Sequence, residues 1–388
     1  MELIKKYAKN TLVNMLLIFG VIGFFVATPI AIYYVYHTIV LQVNTDNKKN
    51  EVDSRAFLEN YKSYPWAAKH FQEYKAMGTE YRDYIIWRRN SFDGETVKVN
   101  SEGIRNTTVK EDLLAEKGNY LFFGGSTMWG SGVSDEFTIP SMFSKEYKVN
   151  SVNYGETGYV ARQSMAMLVN QYAIGGINKS DVNTIVFYDG LNDIYSRCQS
   201  QLFGVATMYE KNLRSTMRES SFGTSYLTWM HIINPAIEFI DKVKKKIAPL
   251  AKQYEDHFDC ASNDEKAKKV AMQLIDVWRM SSSIASLYGD NFIAILQPVV
   301  HIGSPNISHL SELQSGQNLN IKKQYEAVYP YIKKFASAIN NKDFKFLDFS
   351  HVYNSDEQVY VDFSHVSPQG SELIINEIDK FKKEFNLQ

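Results

Sequence analysis

Between residues 118 and 385 the chain alternates short apolar runs with segments that read as helices, and this alternation restricts the fold more than any other feature. The runs Tyr120–Phe123, Val149–Asn153, Val182–Tyr188, Asn291–Gln297 and Phe344–Phe349 have the length and composition of buried strands. Among the segments between and after them, Arg162–Ala173, Lys266–Tyr288, Ile321–Asn340 and Pro368–Phe385 read as helices. Strands joined through helices run parallel, and a parallel sheet needs a helical layer on each face. The expected architecture is therefore a three-layer α/β/α sandwich with a central parallel sheet. Ligands bind such sheets beyond the carboxyl ends of the strands. Ser126, Gly155, Asn192 and the turn at Gln297 all fall there.

Ser126 follows the first run directly, in Tyr120-Leu-Phe-Phe-Gly-Gly-Ser126-Thr-Met-Trp-Gly. Gly124 and Gly125 permit a tight turn, and a hydroxyl on a turn held by a buried strand suits a nucleophile. The next helix is expected to open at Asp135-Glu136-Phe137-Thr138-Ile139-Pro140, with acids in its first turn. A nucleophilic serine needs a base and a pocket for the developing oxyanion. Asn192, in Gly190-Leu-Asn192-Asp193, offers a neutral amide donor. The backbone N–H groups of Ser126 and Gly155 complete a three-donor oxyanion hole. Two nearly identical tetrapeptides, Asp348-Phe-Ser-His351 and Asp362-Phe-Ser-His365, could supply the base with its orienting carboxylate. The second runs straight into a helix, with Ser367 placed to cap it and Pro368 at its first position. Asp362 and His365 are therefore the expected pair. Asp189 and Asp193 are expected to brace their loop, and Ser281, Ser282 and Ser283 to be structural parts of a helix.

The N-terminal region carries a different signal. Lys5, Lys6 and Lys9 precede a stretch from Asn10 to Thr45 that contains no Asp, Glu, Lys or Arg. A bilayer is crossed by ~20 apolar residues, so residues 11–41 are expected to form one transmembrane helix, with Tyr33, Tyr34 and Tyr36 at the interface. The lysines place residues 1–10 in the cytoplasm and the remaining chain outside. A cleaved signal peptide is the rival reading, but the apolar run is long and no small-x-small cleavage site follows it. Residues 42–56 read as a linker, and 57–117 as an aromatic-rich lead-in, with one or two short helices, that packs on the main domain at 118–388. An insertion at 199–264 separates Asn192 from the long helix, and its role as lid, flap or oligomer contact stays open. Cys198 and Cys260, the only cysteines, bracket this insertion and are expected to form a disulfide outside the cytoplasm. A net charge of −1 provides no basic field for nucleic acid.

In chain order, Gly124-Gly-Ser126, the isolated Gly155, Gly190-Leu-Asn192-Asp193 and Asp362-Phe-Ser-His365 resemble the four blocks of the SGNH (GDSL-type) hydrolases. The resemblance covers roughly residues 118–385 and implies a flavodoxin-like hydrolase fold. It also implies Ser126 as nucleophile, His365 as base, Asp362 as its orienting partner, and Ser126, Gly155 and Asn192 as the oxyanion hole. Gly125 stands where the family commonly has Asp. The segment 92–107 is similar to a lead-in found in exported members associated with bacterial surface polysaccharides. The implied chemistry is two-step acyl transfer without metal or cofactor, losing activity on the acid side as the base protonates. The expected substrate is an O-acyl, and specifically O-acetyl, group on a cell-surface or periplasmic glycan. A lipid or lysophospholipid esterase and a catalytically silent glycan-binding or assembly protein are the alternatives.

Overall fold

The computed structural model describes residues 53–108, 119–199, 258–310, 313 and 316–387, with isolated helical positions between 11 and 20. The expected cytoplasmic segment 1–10, the rest of the expected membrane segment 11–41, most of the linker 42–56 and nearly all of the insertion 199–264 lie outside the described residues. Among the described residues, no helix is long and apolar enough to cross a membrane. The chain divides into two units, and the one formed by residues 52–210 and 256–388 holds the sheet.

The chain enters this unit through two 3₁₀ turns, Ser54–Phe57 and Glu59–Tyr61, the first capped by the Asp53 carboxylate. Helix α1 (Ala67–Ala76) follows. Strands β1 (Thr79–Arg82) and β2 (Ile86–Arg89) then form an antiparallel hairpin, and β3 (Phe92–Asp93) pairs with β4 (Lys98–Val99). The short helix expected in this region is α1, and the hairpin adds strands that the aromatic spacing did not suggest. Tyr81, Tyr84 and Trp87 recur at intervals of three, which imitates a helical face. Instead Tyr81 and Tyr84 are exposed while Trp87 is buried. The tight turn spans residues 83–85, with Tyr84 at positive φ, and Ile86, also at positive φ, opens β2.

The sheet begins with β5 (Tyr120–Gly124), and a short helix, α2 (Ser126–Trp129), starts one residue later. Thr138 caps α3 (Ile139–Tyr147), which leads to β6 (Ser151–Asn153), α4 (Ala161–Ile174), β7 (Thr184–Asp189) and α5 (Leu191–Arg197). After the insertion come α6 (Asp264–Leu287), β8 (Asn291–Leu296), α7 (Gly316–Ser337), β9 (Lys345–Asp348) and α8 (Pro368–Asp379). The five strands are parallel in the order β6-β5-β7-β8-β9. Side chains alternate between two cores, as the strand period requires. Leu121, Phe123, Ile185, Phe187, Phe292 and Ala294 meet α4, α6 and α7, whereas Tyr120, Phe122, Val186, Tyr188, Ile293 and Ile295 meet α3 and α8. Both faces are covered, so the strands read as continuous apolar runs. The chain passes from β5 to one neighbour and then returns to the other. This reversal puts the topological switch point, where ligands bind in such sheets, at the carboxyl ends of β5 and β7.

Cys198 and Cys260 are disulfide-bonded, joining the end of α5 to the turn before α6. Below that joint lie two buried acids. Asp193 accepts the Ala161 N–H (3.0 Å) and faces Arg197 (3.9 Å), while Asp189 accepts the Trp278 Nε1–H (3.2 Å). Burial and the neighbouring Asp193 push the Asp189 carboxyl well above its usual range. Burial also raises Asp193, opposed by Arg197 and the Ala161 N–H. The Arg197 cation beside Asp193 makes it the more readily ionised acid of the two. Urea denaturation at neutral pH should show Asp189→Asn within about 1 kcal/mol of the parent. Asp193→Asn, which leaves Arg197 buried without its counter-ion, should lose roughly 3 kcal/mol or more. Equal losses would contradict this assignment.

Candidate active site

Two glycines set the approach to Ser126. A Cβ at Gly124 would lie 2.5 Å from the Tyr188 backbone oxygen, and one at Gly125 would lie 2.5 Å from Asn192 Nδ2. The first allows β5 to end tight against β7. The second brings the Asn192 amide onto the backbone just before the serine. Ser126 is the first residue of α2, not a turn residue ahead of a later helix as its sequence suggested. N–H groups in the first turn of a helix have no intrahelical acceptor. The Ser126 carbonyl accepts from the N–H groups of Gly130 (2.9 Å) and Ser131 (3.1 Å), which fixes its backbone. The side chain is half-buried.

Asp362 and His365 come from the loop before α8. His365 Nδ1 is 2.7 Å from Asp362 Oδ2, and Asp362 Oδ1 accepts the backbone N–H groups of Ser364 (2.9 Å) and His365 (2.8 Å). Burial opposes ionisation of Asp362, but the His365 ring and these N–H groups outweigh it and hold the carboxyl well below the usual carboxylate range. With Nδ1 engaged by the carboxylate, Nε2 is the nitrogen left to take a proton. It is buried and has no hydrogen-bond partner among the described residues. The loop is stapled to the serine's helix, because Thr127 Oγ1 donates to the Ser364 carbonyl at 3.1 Å. Ser126 and His365 thus stand beside two residues that are themselves bonded, although their own side chains share no hydrogen bond. Where a hydroxyl and an imidazole act as nucleophile and base, their hydrogen bond commonly tightens only when substrate binds.

Asn192 is the second residue of α5. Its Nδ2 donates one hydrogen to the Tyr159 carbonyl at 2.8 Å, leaving the other beside Gly125. Gly155 departs from the expected pattern. Its N–H, expected as the third oxyanion donor, is taken by Asn153 Oδ1 at 3.1 Å. A Cβ there would lie 2.7 Å from the Trp129 backbone nitrogen, so Gly155 lets its loop pack against α2. The donors with hydrogens uncommitted among the described residues are the Ser126 N–H and the Asn192 amide.

The rejected tetrapeptide is arranged differently. Lys333 Nζ lies 3.0 Å from Asp348 Oδ2 and 3.0 Å from His351 Nε2, so a cation stands between the two side chains. Among the other singled-out residues, Ser281 and Ser283 bond to carbonyls in their own helix, and Ser282 to that of Asp343. His309 Nε2 bonds to the Tyr360 carbonyl.

One residue of the site was not foreseen. Arg55, read as linker, extends Nη1 to Asp362 Oδ2 at 2.9 Å. Its Nε and Nη2 bond to Asp53 at 3.1 and 3.0 Å. No periodicity or motif pairs residues this far apart in the chain.

Fold and site together define an α/β protein with a Ser, Asn, His and Asp cluster at the switch point of a parallel sheet. Neither a protein-family model nor a curated protein sequence matches the chain. Several solved structures are similar to it. A member of the lipolytic protein G-D-S-L family from Veillonella parvula is 14% identical, covering 68% of this chain and 96% of its own, with a TM-score of 0.35. A GDSL-like lipase from Bacteroides thetaiotaomicron is 11% identical, with coverages of 72% and 92% and a TM-score of 0.34. An alpha/beta hydrolase from a Lake Arreo metagenome is also 11% identical, with coverages of 70% and 96% and a TM-score of 0.33. Similarity at this level says nothing about substrate.

Two outcomes test this geometry. Gly125→Asp, whose side chain would occupy the space beside Asn192 Nδ2, should displace the Asn192 amide and lower turnover on any accepted ester roughly tenfold or more. Asp362, whose carboxyl is depressed in the fold, stabilises the protein above the unfolded carboxylate pKa of ~3.9 and loses that contribution as pH falls below it. Asp362→Asn should therefore cost about 2 kcal/mol near pH 7 and progressively less below pH ~4, read by denaturant titration at each pH.

Proposed function

We propose that this protein is a serine esterase or acyltransferase that acts on O-acyl, chiefly O-acetyl, groups of a cell-surface or periplasmic glycan. The observation that carries the chemistry is the His365 imidazole: bonded to Asp362 through Nδ1, open at Nε2, and stapled through Ser364 and Thr127 to the helix of Ser126. His365 Nε2 takes the Ser126 proton as Oγ attacks the ester carbonyl. The Ser126 N–H and the Asn192 amide receive the oxyanion. Collapse expels the alcohol, which leaves with the proton from His365, and an acyl-serine remains. His365 then deprotonates water or a sugar hydroxyl, whose attack releases the acyl group and restores the serine.

The site is proposed to work outside the cytoplasm, anchored by residues 11–41. The Cys198–Cys260 disulfide supports that placement, because such bonds persist in oxidising compartments. The glycan is favoured by the resemblance of residues 92–107 to lead-ins of exported members.

Short-chain and long-chain nitrophenyl esters, with and without a sugar acceptor, test the proposal. Short-chain turnover is expected, with Ser126→Ala lowering kcat by on the order of 10⁴-fold or more at unchanged melting temperature, and His365→Ala, which also removes the partner of Asp362, lowering it to a similar degree. Preference for long chains would move the substrate to lipids. A Ser126→Ala variant as active as the parent would end the serine mechanism.

A further inference from the structure

The Asp362 carboxylate serves two partners through one oxygen. Oδ2 lies 2.7 Å from His365 Nδ1 and 2.9 Å from Arg55 Nη1. Arg55 is itself shared, since its other nitrogens fork onto Asp53 and its guanidinium sits 4.6 Å from the centre of the Phe71 ring. Burial works against the Arg55 charge, but the two carboxylates more than compensate and raise its pKa above the usual arginine value. Lys75 lies 3.9 Å from Asp53 on its other side. Two further titratable neighbours among the described residues, Tyr61 and His70, contribute no charge near neutrality. Burial pushes the Tyr61 phenol far up, and its hydroxyl donates to the Gly132 carbonyl. Burial and the Arg105 charge push His70 down to about 3, with its Nε2 on the Ser131 carbonyl.

A carboxylate beside a histidine stabilises the imidazolium. A cation on the same oxygen draws off part of that stabilisation. It also fixes the carboxylate rotamer, because both oxygens are then fully occupied. We propose that Arg55 is a positioning residue for Asp362 and His365, and that its charge sets the pH above which His365 is available as a neutral base. This deepens the esterase reading and rests on it. The segment just after the expected membrane anchor thereby becomes part of the acid–base apparatus.

The test is the pH dependence of kcat/KM for a nitrophenyl acetate in the full chain, with melting temperatures measured alongside. Arg55→Gln should move the acid limb to higher pH by about one unit, since a neighbouring charge shifts a titration by one to three units. Asp53→Asn removes a negative charge while leaving Arg55 on Asp362, and should move the limb the opposite way. Arg55→Lys should keep the limb near its parental position but lower kcat roughly tenfold, because an ammonium cannot fork onto two carboxylates. An acid limb unmoved in both Arg55→Gln and Asp53→Asn, whatever their melting temperatures, would reduce Arg55 to a structural tie and overturn the proposal. An NMR titration of the His365 ring, assigned through His365→Gln, reads the same shifts without turnover. A parent inactive on every ester would therefore defeat the esterase reading while this titration still decided the role of Arg55.

Discussion

A sheet buried on both faces has no room for chemistry along its length. Every side chain of β5 and β7 from Tyr120 to Phe123 and from Thr184 to Tyr188 is buried, in one core or the other for the large apolar ones, so polar function is confined to the strand ends. At the carboxyl ends, β5 and β7 part to send the chain to opposite sides, and two consecutive glycines let the backbone turn there without a side chain in the way. Ser126 and Asn192 lie at these two strand ends. The remaining elements of the site are brought to this rim by loops, and those loops need support of their own.

That support is largely arginine. Irregular backbone at the rim turns carbonyl groups inward, and buried carbonyls need donors. Arg105 satisfies three of them, donating to Trp129 (2.8 Å) at the end of α2 and to Gly130 (2.6 Å) and Val133 (2.6 Å) just beyond it, while its Nε pairs with Asp135. Arg88 does the same for Tyr154 (3.0 Å), Gly155 (3.1 Å) and Gly103 (2.8 Å). Arg55 acts on a carboxylate where these two act on carbonyls. All three belong to the segment ahead of β5. The lead-in is therefore not a separate layer packed on a finished domain but the source of the donors that hold the rim loops in place.

This division explains what could be read from the sequence. The five strands fall within two residues of their expected limits, because a strand covered on both faces must be written as an unbroken apolar run. The residues at the strand ends follow from that. Helix α2 was missed because a four-residue helix carries no periodicity. The β1–β2 hairpin was missed because its aromatics happen to recur at helical spacing. The use made of the Gly155 N–H depends on a neighbouring side chain, Asn153, that no motif specifies. Arg55 and Asp362 are 307 positions apart, and an ion pair over that distance leaves no local trace.

The two Asp-Phe-Ser-His tetrapeptides show why local sequence stops short of the chemistry. Both fold their first turn alike, with Ser350 N–H on Asp348 Oδ1 at 3.0 Å and Ser364 N–H on Asp362 Oδ1 at 2.9 Å. They differ in where the cation arrives. Lys333 comes between Asp348 and His351, on Nε2 itself, and His351 is exposed. Nε2 is the nitrogen a base would use, and here it is already occupied by an ammonium. Arg55 binds Asp362 without bonding to the His365 ring, so the imidazole keeps its carboxylate on one nitrogen and an open lone pair on the other. The same four residues become a surface ion cluster or a candidate base according to which atom a distant cation touches, and tertiary contact alone decides that.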